Sequence, residues 1–275
     1  MDVRGAFLEL VVGRASPRLR SRLEWSLARR SGDQAVRVAE HLAEPGRVAL
    51  DVGASWGLFT GGLSRLVGPA GRVHAFEPGP HNLPSLRRVA AANAVVHEVG
   101  LSDTEGEAVL HVPLVRGRPT HALASFDTPR GRGDADYETV RVPVRRLDDV
   151  PELRDADVSF VKCDVEGHER AVLAGADALL GRTMPAILVE IEQRHQDSDI
   201  GVTIDGLLAR GYDGYVLGAA GLRPVREFDV ERDQLAHLDA GGELVPRPAG
   251  DYLNDFLFVD PGRDVSALLG SPGGR

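Results

Sequence analysis

Apolar positions recur along the chain with two different periods. In Pro17–Arg30 (PRLRSRLEWSLARR), Leu19, Leu23 and Leu27 stand four apart with arginines around them, which predicts an amphipathic helix whose leucine face packs on the rest of the molecule. Asp33 is placed to cap a second helix running to about Ala43, where Pro45 and Gly46 end it. From Arg47 the period shortens. The runs RVALDV, RVHAFE, VVHEVG, VSFVKCD and AILVEIE are apolar on both faces and rich in β-branched residues. Helical segments alternate with them: GLFTGGLSRLVG, HNLPSLRRVAAANA and HERAVLAGADALLG. Strands buried on both faces and separated by helices form a parallel sheet covered on both sides. In that doubly wound α/β architecture, ligands sit beyond the carboxyl ends of the strands.

Two regions break the alternation. EAVLHVPL and ETVRVPVRRL are successive strands, an inserted hairpin whose connection spans residues 115–137. A structureless connection of that length marks a functional lid or a disordered segment; here a substrate lid is expected, with His121, Ser125 and Phe126 as its candidate residues. GYDGYVLGAAGLRPV and NDFLFVD read as closing antiparallel strands. The expected organisation is an N-terminal helical cap over 1–45, an α/β domain over 46–262 and a flexible tail over 263–275.

Composition narrows the function classes. The net charge of −9 argues against a nucleic-acid surface, and 43% hydrophobic residues suit an ordinary globular domain. A single cysteine allows no internal disulfide, which favours the reducing cytoplasm. The first apolar run, Ala6 to Gly13, is broken by Glu9 and is too short for a secretion signal; no run approaches the ~18 apolar residues of a membrane span.

The first strand and its turn, VALDVGASWGLF, carry the first chemistry. Glycines at Gly53 and Gly57 give G-x-x-x-G rather than the dinucleotide G-x-G-x-x-G. Asp51 just before them would repel a pyrophosphate but suits a ligand bearing an ammonium or sulfonium. The second strand ends at Glu77-Pro78, and an acid at that tip can accept both hydroxyls of a ribose. Ser102 and Asp103, in GLSD, lie at the height of an adenine ring.

With LDVGASWGLFT, HAFEP, VGLSDTEGE, VPVRRLDDV, FVKCDVEGHERAVLAGA and ILVEIE taken together, the chain resembles the FkbM-type methyltransferases from about Arg47 to His195. The K-x-D-V-E-G-x-E segment is the most specific element of the resemblance. It implies S-adenosylmethionine as cofactor, a class I Rossmann-like fold with a mostly parallel seven-stranded sheet and an antiparallel last strand, and O-methylation of natural products or sugars. It also implies that Asp51, Gly53 and Gly57 hold the methionine part, Glu77 the ribose, and Ser102 and Asp103 the adenine. Ser55 stands where the family usually has Asn, and its hydroxyl can still bond near the amino-acid end.

Lys162 is the only lysine, every other one of the 32 Lys and Arg residues being arginine, and it sits inside an apolar strand. A buried ammonium must be paired. Asp164, a cofactor-binding and catalytic candidate, projects to the same side, and Glu190 and Glu192 follow on the next strand. Lys162 is read as structural ion pair or as the group that places the substrate oxygen. His168 and His195, each just past a strand tip, are the candidate bases, with His121 a third. Asp164, Glu190 and Glu192 could bind Mg²⁺ through oxygens if a divalent ion is used, though ion pairing with Lys162 and nearby arginines accounts for them more simply. The expected partner is a small-molecule or glycosylated hydroxyl acceptor, not nucleic acid or membrane. The alternatives are an N-methyltransferase on the same fold and a non-catalytic nucleoside-binding module.

Overall fold

The computed structural model describes residues 16–115, 117–121, 124–126, 137–196, 198–239, 242, 244–245 and 251–269. Residues 1–15 of the expected cap and 127–136 of the expected lid lie outside them.

Two helices lead the chain, α1 (Pro17–Ser31) and α2 (Gln34–Leu42). Asp33 caps α2 as expected, its side chain accepting from the Val36 N–H at 3.0 Å. The burying face of α1 is not the leucine stripe. Leu19 is 48% exposed, while Ser21 and Trp25 are buried. The reason lies on the facing helix α3 (Leu58–Val67): a Cβ on Gly62 would lie 2.1 Å from the Trp25 ring, and one on Gly61 would lie 2.3 Å from the Ser21 hydroxyl. Gly62 admits the indole, which also meets Phe59 edge-on at 5.5 Å, and Gly61 admits Ser21 beside it.

The expected alternation then follows. Strands β1 (Val48–Val52), β2 (Arg72–Phe76) and β3 (Ala94–His97) are separated by α3 and α4 (Leu83–Val89). Next come β8 (Val158–Cys163), α5 (Glu169–Ala174), α6 (Asp177–Thr183), β9 (Ala186–Glu190) and α7 (Gly201–Ala209). The chain closes with β10 (Asp213–Gly218), β11 (Gly221–Pro224), the short α8 (Val230–Asp233) and β12 (Asp255–Val259). The sheet has eight strands in the order β11-β10-β12-β9-β8-β1-β2-β3, with β12 antiparallel to both its neighbours. The strand beyond the expected seven is β11, which folds back on β10 as an edge hairpin. Apolar layers cover both faces, one centred on Leu50, Phe256 and Phe258, the other on Phe160, Leu188 and Leu257.

VVHEVG, expected as one strand, divides into β3 and β4 (Gly100–Leu101). β4 leaves the large sheet and pairs with β7 (Tyr137–Arg145), itself antiparallel to β5 (Gly106–Val115) from Gly106↔Val144 to Pro113↔Tyr137. With β6 (Arg118–Pro119) these make a second, four-stranded sheet, the expected hairpin enlarged. HERAVLAGADALLG breaks into α5 and α6 at Gly175, where a Cβ would lie 2.0 Å from the Ser102 carbonyl oxygen. Residues 263–269, assigned above to a flexible tail, pack on the cap: Val265 and Leu268 are buried, and Arg263 bonds to Glu44 and the Leu42 carbonyl. Among the described residues no helix is long and apolar enough to cross a membrane.

Candidate functional site

The strand order reverses direction of growth at β1: β2 lies on one side and β8, far later in sequence, on the other. Such a switch point opens a crevice at the strand tips. Three tips build it. At β1, Asp51 is buried and accepts from Thr60 Oγ1 at 2.5 Å; burial pushes its carboxyl up to about 6, against the Thr60 hydrogen bond and the Lys162 charge. Gly53 follows at φ +77°, and a Cβ there would fall 1.8 Å from the Asp164 carbonyl oxygen, so only glycine lets the β1 and β8 tips pass so closely. At β2, Glu77 is 6% exposed. Its Oε2 accepts from the Ser55 N–H at 2.7 Å, and its Oε1 from the Gly79 N–H at 2.8 Å and Asn82 Nδ2 at 3.2 Å. Burial raises its pKa against these three donors.

Between these tips lies an open cleft of about 540 Å³. It is lined by Gly53, Ser55 and Glu77, by the apolar Val99, Leu101 and Leu110, and by Asp164 and Glu166. A slot with apolar lining, the Glu77 carboxylate beside a glycine turn and Asp164 in its lining could hold a nucleoside with a cationic tail. Gly57 opens α3 at φ +103°, behind the turn.

The adenine candidates fall differently. Gly100 and Leu101 line the cleft at that height. The Ser102 hydroxyl is engaged with His168 Nε2 at 3.0 Å and Asp103 Oδ1 at 3.3 Å. All three lid residues are at the cleft or its rim. Phe126 and His121 line it. Phe126 packs on Gly100, where a Cβ would lie 2.5 Å from its ring, and meets His168 edge-on at 5.1 Å. His121 stacks on His81 at 3.8 Å. Ser125 Oγ donates to the Glu166 carbonyl oxygen at 2.6 Å.

Lys162 is paired, as its burial requires. Its Nζ is 3.5 Å from Asp164 Oδ2, 4.0 Å from Asp255 Oδ1 and 5.6 Å from the centre of the Phe59 ring. Burial alone would lower its pKa; Asp164, then Asp255 and Glu190, outweigh burial and hold it above the ordinary value. Burial and the Asp164 charge push Glu190 well above the carboxylate range, and Asp255 rises for the same first reason. Sequence reasoning missed Asp255. It lies opposite Glu190 in the β12–β9 register, and the signal for it was its place at the head of NDFLFVD.

The three candidate metal ligands do not converge. Asp164 faces Lys162, Glu190 accepts from Asn254 Nδ2 at 2.7 Å, and Glu192 is ion-paired with Arg194 and accepts from the Tyr252 hydroxyl. Although burial works against it, Glu192 is held low, at about 2, by Arg194 and Tyr252. Among the described residues, no three His, Cys, Asp or Glu side chains are grouped to hold a metal ion. Cations of the chain itself do the neutralising.

The two candidate bases separate as well. His168 is the N-cap of α5 and bonds Ser102. His195, beyond β9, places Nδ1 3.1 Å from Oε2 of Glu166, a residue the sequence reading passed over within VKCDVEGHE. Burial lowers the His195 pKa, but the Glu166 hydrogen bond and the Glu192 charge outweigh it and leave it raised. Glu166 takes up φ +54°, unusual for a residue with a side chain, to point from the β8 turn to this imidazole.

A sheet in this order with β12 reversed, a glycine turn after β1 and an acid at the β2 tip define the Rossmann-like α/β fold of S-adenosylmethionine-dependent methyltransferases. The chain belongs to the methyltransferase FkbM domain family, whose model matches residues 43–213. It is 33% identical over 162 residues to 31-O-demethyl-FK506 methyltransferase FkbM of Streptomyces tacrolimicus, a match covering 48% of this chain and 60% of that protein. The chain thus spans less than two thirds of that relative's length. Among solved structures it is similar to methyltransferase FkbM from Methylobacillus flagellatus, at 18% identity and TM-score 0.46, covering 82% of this chain and 55% of that one. It is also similar to a SAM-dependent O-methyltransferase from Thermotoga maritima, at 13% identity and TM-score 0.36, covering 84% and 66%.

Proposed function

We propose that the protein is an S-adenosylmethionine-dependent O-methyltransferase acting on a hydroxyl of a small-molecule natural product or sugar. The observation that carries the reading is that one cleft is lined by Gly53, Glu77 and Glu166, and that the Glu166 carboxylate is in turn paired with His195. The cofactor, when bound, supplies an electrophilic methyl on a sulfonium. Glu77 would hold the ribose hydroxyls, and Phe126, which lines the same cleft, would lie against the nucleoside. Asp164 would lie toward its cationic end, paired with Lys162 at 3.5 Å.

The acceptor hydroxyl loses its proton to His195. With Nδ1–H held by Glu166, Nε2 is the basic nitrogen, and a raised pKa makes it a stronger base. Positioning does the rest, since in-line displacement needs the oxygen aligned with the leaving sulfur. The name of the Streptomyces relative, 31-O-demethyl-FK506 methyltransferase, supports oxygen over nitrogen. The net charge of −9 accords with a small-molecule acceptor rather than nucleic acid, and the single, buried Cys163 with a cytoplasmic setting.

The test is incubation with S-adenosylmethionine and a panel of hydroxylated macrolides and sugars, each paired with its amine analogue, read by mass spectrometry. Methyl gain on a hydroxyl, reduced about 10²–10⁴-fold in kcat by His195→Gln, is expected. Gain on the amines alone would replace this reading with N-methylation.

A further inference from the structure

The Glu166–His195 pair joins two separate turns, one after β8 and one after β9, and neither is held by strand pairing at that point. A third side chain bridges them. Glu169, the first residue of α5, is 1% exposed, and it reaches back to both turns at once. Its Oε1 accepts from the Gly167 N–H at 2.9 Å, the residue after Glu166. Its Oε2 accepts from Gln196 Nε2 at 3.0 Å, the residue after His195. The turns also touch directly: a Cβ on Gly167, at φ +105°, would lie 2.6 Å from the His195 carbonyl oxygen.

We infer that Glu169 is a positioning residue for the Glu166–His195 pair, clamping the two strand-tip turns at the separation at which carboxylate meets imidazole. The inference rests on the proposed role of His195 as base, and deepens it. Isolated burial of a carboxylate is unfavourable. Here it drives the Glu169 carboxyl up to about 7 even with the Gly167 amide bonded to it. A site that tolerates this cost in order to join two turns is consistent with a positioning role. The charged groups facing His195 are Glu166, Glu192 and Arg194, so its titration reports the geometry of this pair.

The experiment follows the His195 ring proton by NMR across pH in the full chain, assigned with His195→Asn. Glu166→Gln should bring the midpoint down toward the ordinary ~6.5 of imidazole. Glu169→Gln should lower it as well, by loosening the clamp. Because that change also removes a charge, Gln196→Met is the deciding variant: it cuts the clamp with no change in net charge and leaves Glu169 bonded to Gly167. Its midpoint should fall too, with S-adenosylhomocysteine affinity unchanged. A His195 midpoint in Gln196→Met equal to wild type overturns the inference, as does a midpoint that none of the variants moves. The base assignment itself is judged separately, by the effect of His195→Gln on methyl transfer.

Discussion

Lys162 shows how one residue choice is dictated by its surroundings. It is 4% exposed and has carboxylates from three strands around it: Asp164 beyond β8, Glu190 on β9 and Asp255 on β12. Removing one partner of a buried charge group leaves the others uncompensated. Lys162→Met should therefore destabilise the protein by about 3–5 kcal/mol, read as a lower urea midpoint; an unchanged midpoint would mean that the carboxylates are neutralised some other way. Much of this cluster was legible in sequence, because a lone lysine inside an apolar strand has to be paired and Asp164 projects to the same side. Asp255 was not, since only the antiparallel register of β12 against β9 brings it across from Glu190. Glu166 stayed hidden because its direction depends on a left-handed backbone conformation that periodicity does not report. The partner of Ser102 was equally hidden: just past the two-residue strand β4, its hydroxyl meets His168.

Elements were more legible than their faces. α1 and α2 lie close to where periodicity and capping put them, yet α1 buries Trp25 and Ser21 rather than its leucines. Counting apolar positions reveals a stripe but not the glycine pair on α3 that an indole can occupy. Trp25→Ala should cost about 3–5 kcal/mol by opening a cavity, while Leu19→Ser should stay within ~0.5 kcal/mol; equal effects in thermal or denaturant unfolding would refute the assignment of the faces. The edge of the sheet makes a second element-scale case. His74 on β2 places Nδ1 2.9 Å from His97 Nε2 on β3, and burial, then the His97 charge, holds it down at about 4. The unfolded chain, titrating near ~6.5, takes up the proton first. The stability tied to His74 is thus complete above ~6.5 and is lost as pH falls toward about 4. Compared with His74→Phe, wild type should lose on the order of 2–3 kcal/mol on acidification through that window; parallel stability curves for the two proteins would contradict this.

At the scale of the whole molecule, the alternation of two-faced apolar runs with helices was enough to read a doubly wound sheet, because parallel strands need crossover helices and cover on both sides. It could not show that the chain leaves that sheet at β4 to build a second one. This departure brings the inserted segment, with His121 and Phe126, onto the cleft at the strand tips. Residues read from sequence as a substrate lid therefore line the same cleft as Gly53 and Glu77. The proposed function requires that the cleft lined by the Gly53 turn and Glu77 binds S-adenosylmethionine. Calorimetric titration with S-adenosylhomocysteine, and in parallel with NAD, tests it most directly. Micromolar binding of the first and none of the second is expected, with Glu77→Ala weakening it about tenfold to a hundredfold through loss of charge-assisted hydrogen bonds. No binding of S-adenosylhomocysteine to the wild-type chain, or an affinity that Glu77→Ala leaves untouched, would contradict the claim.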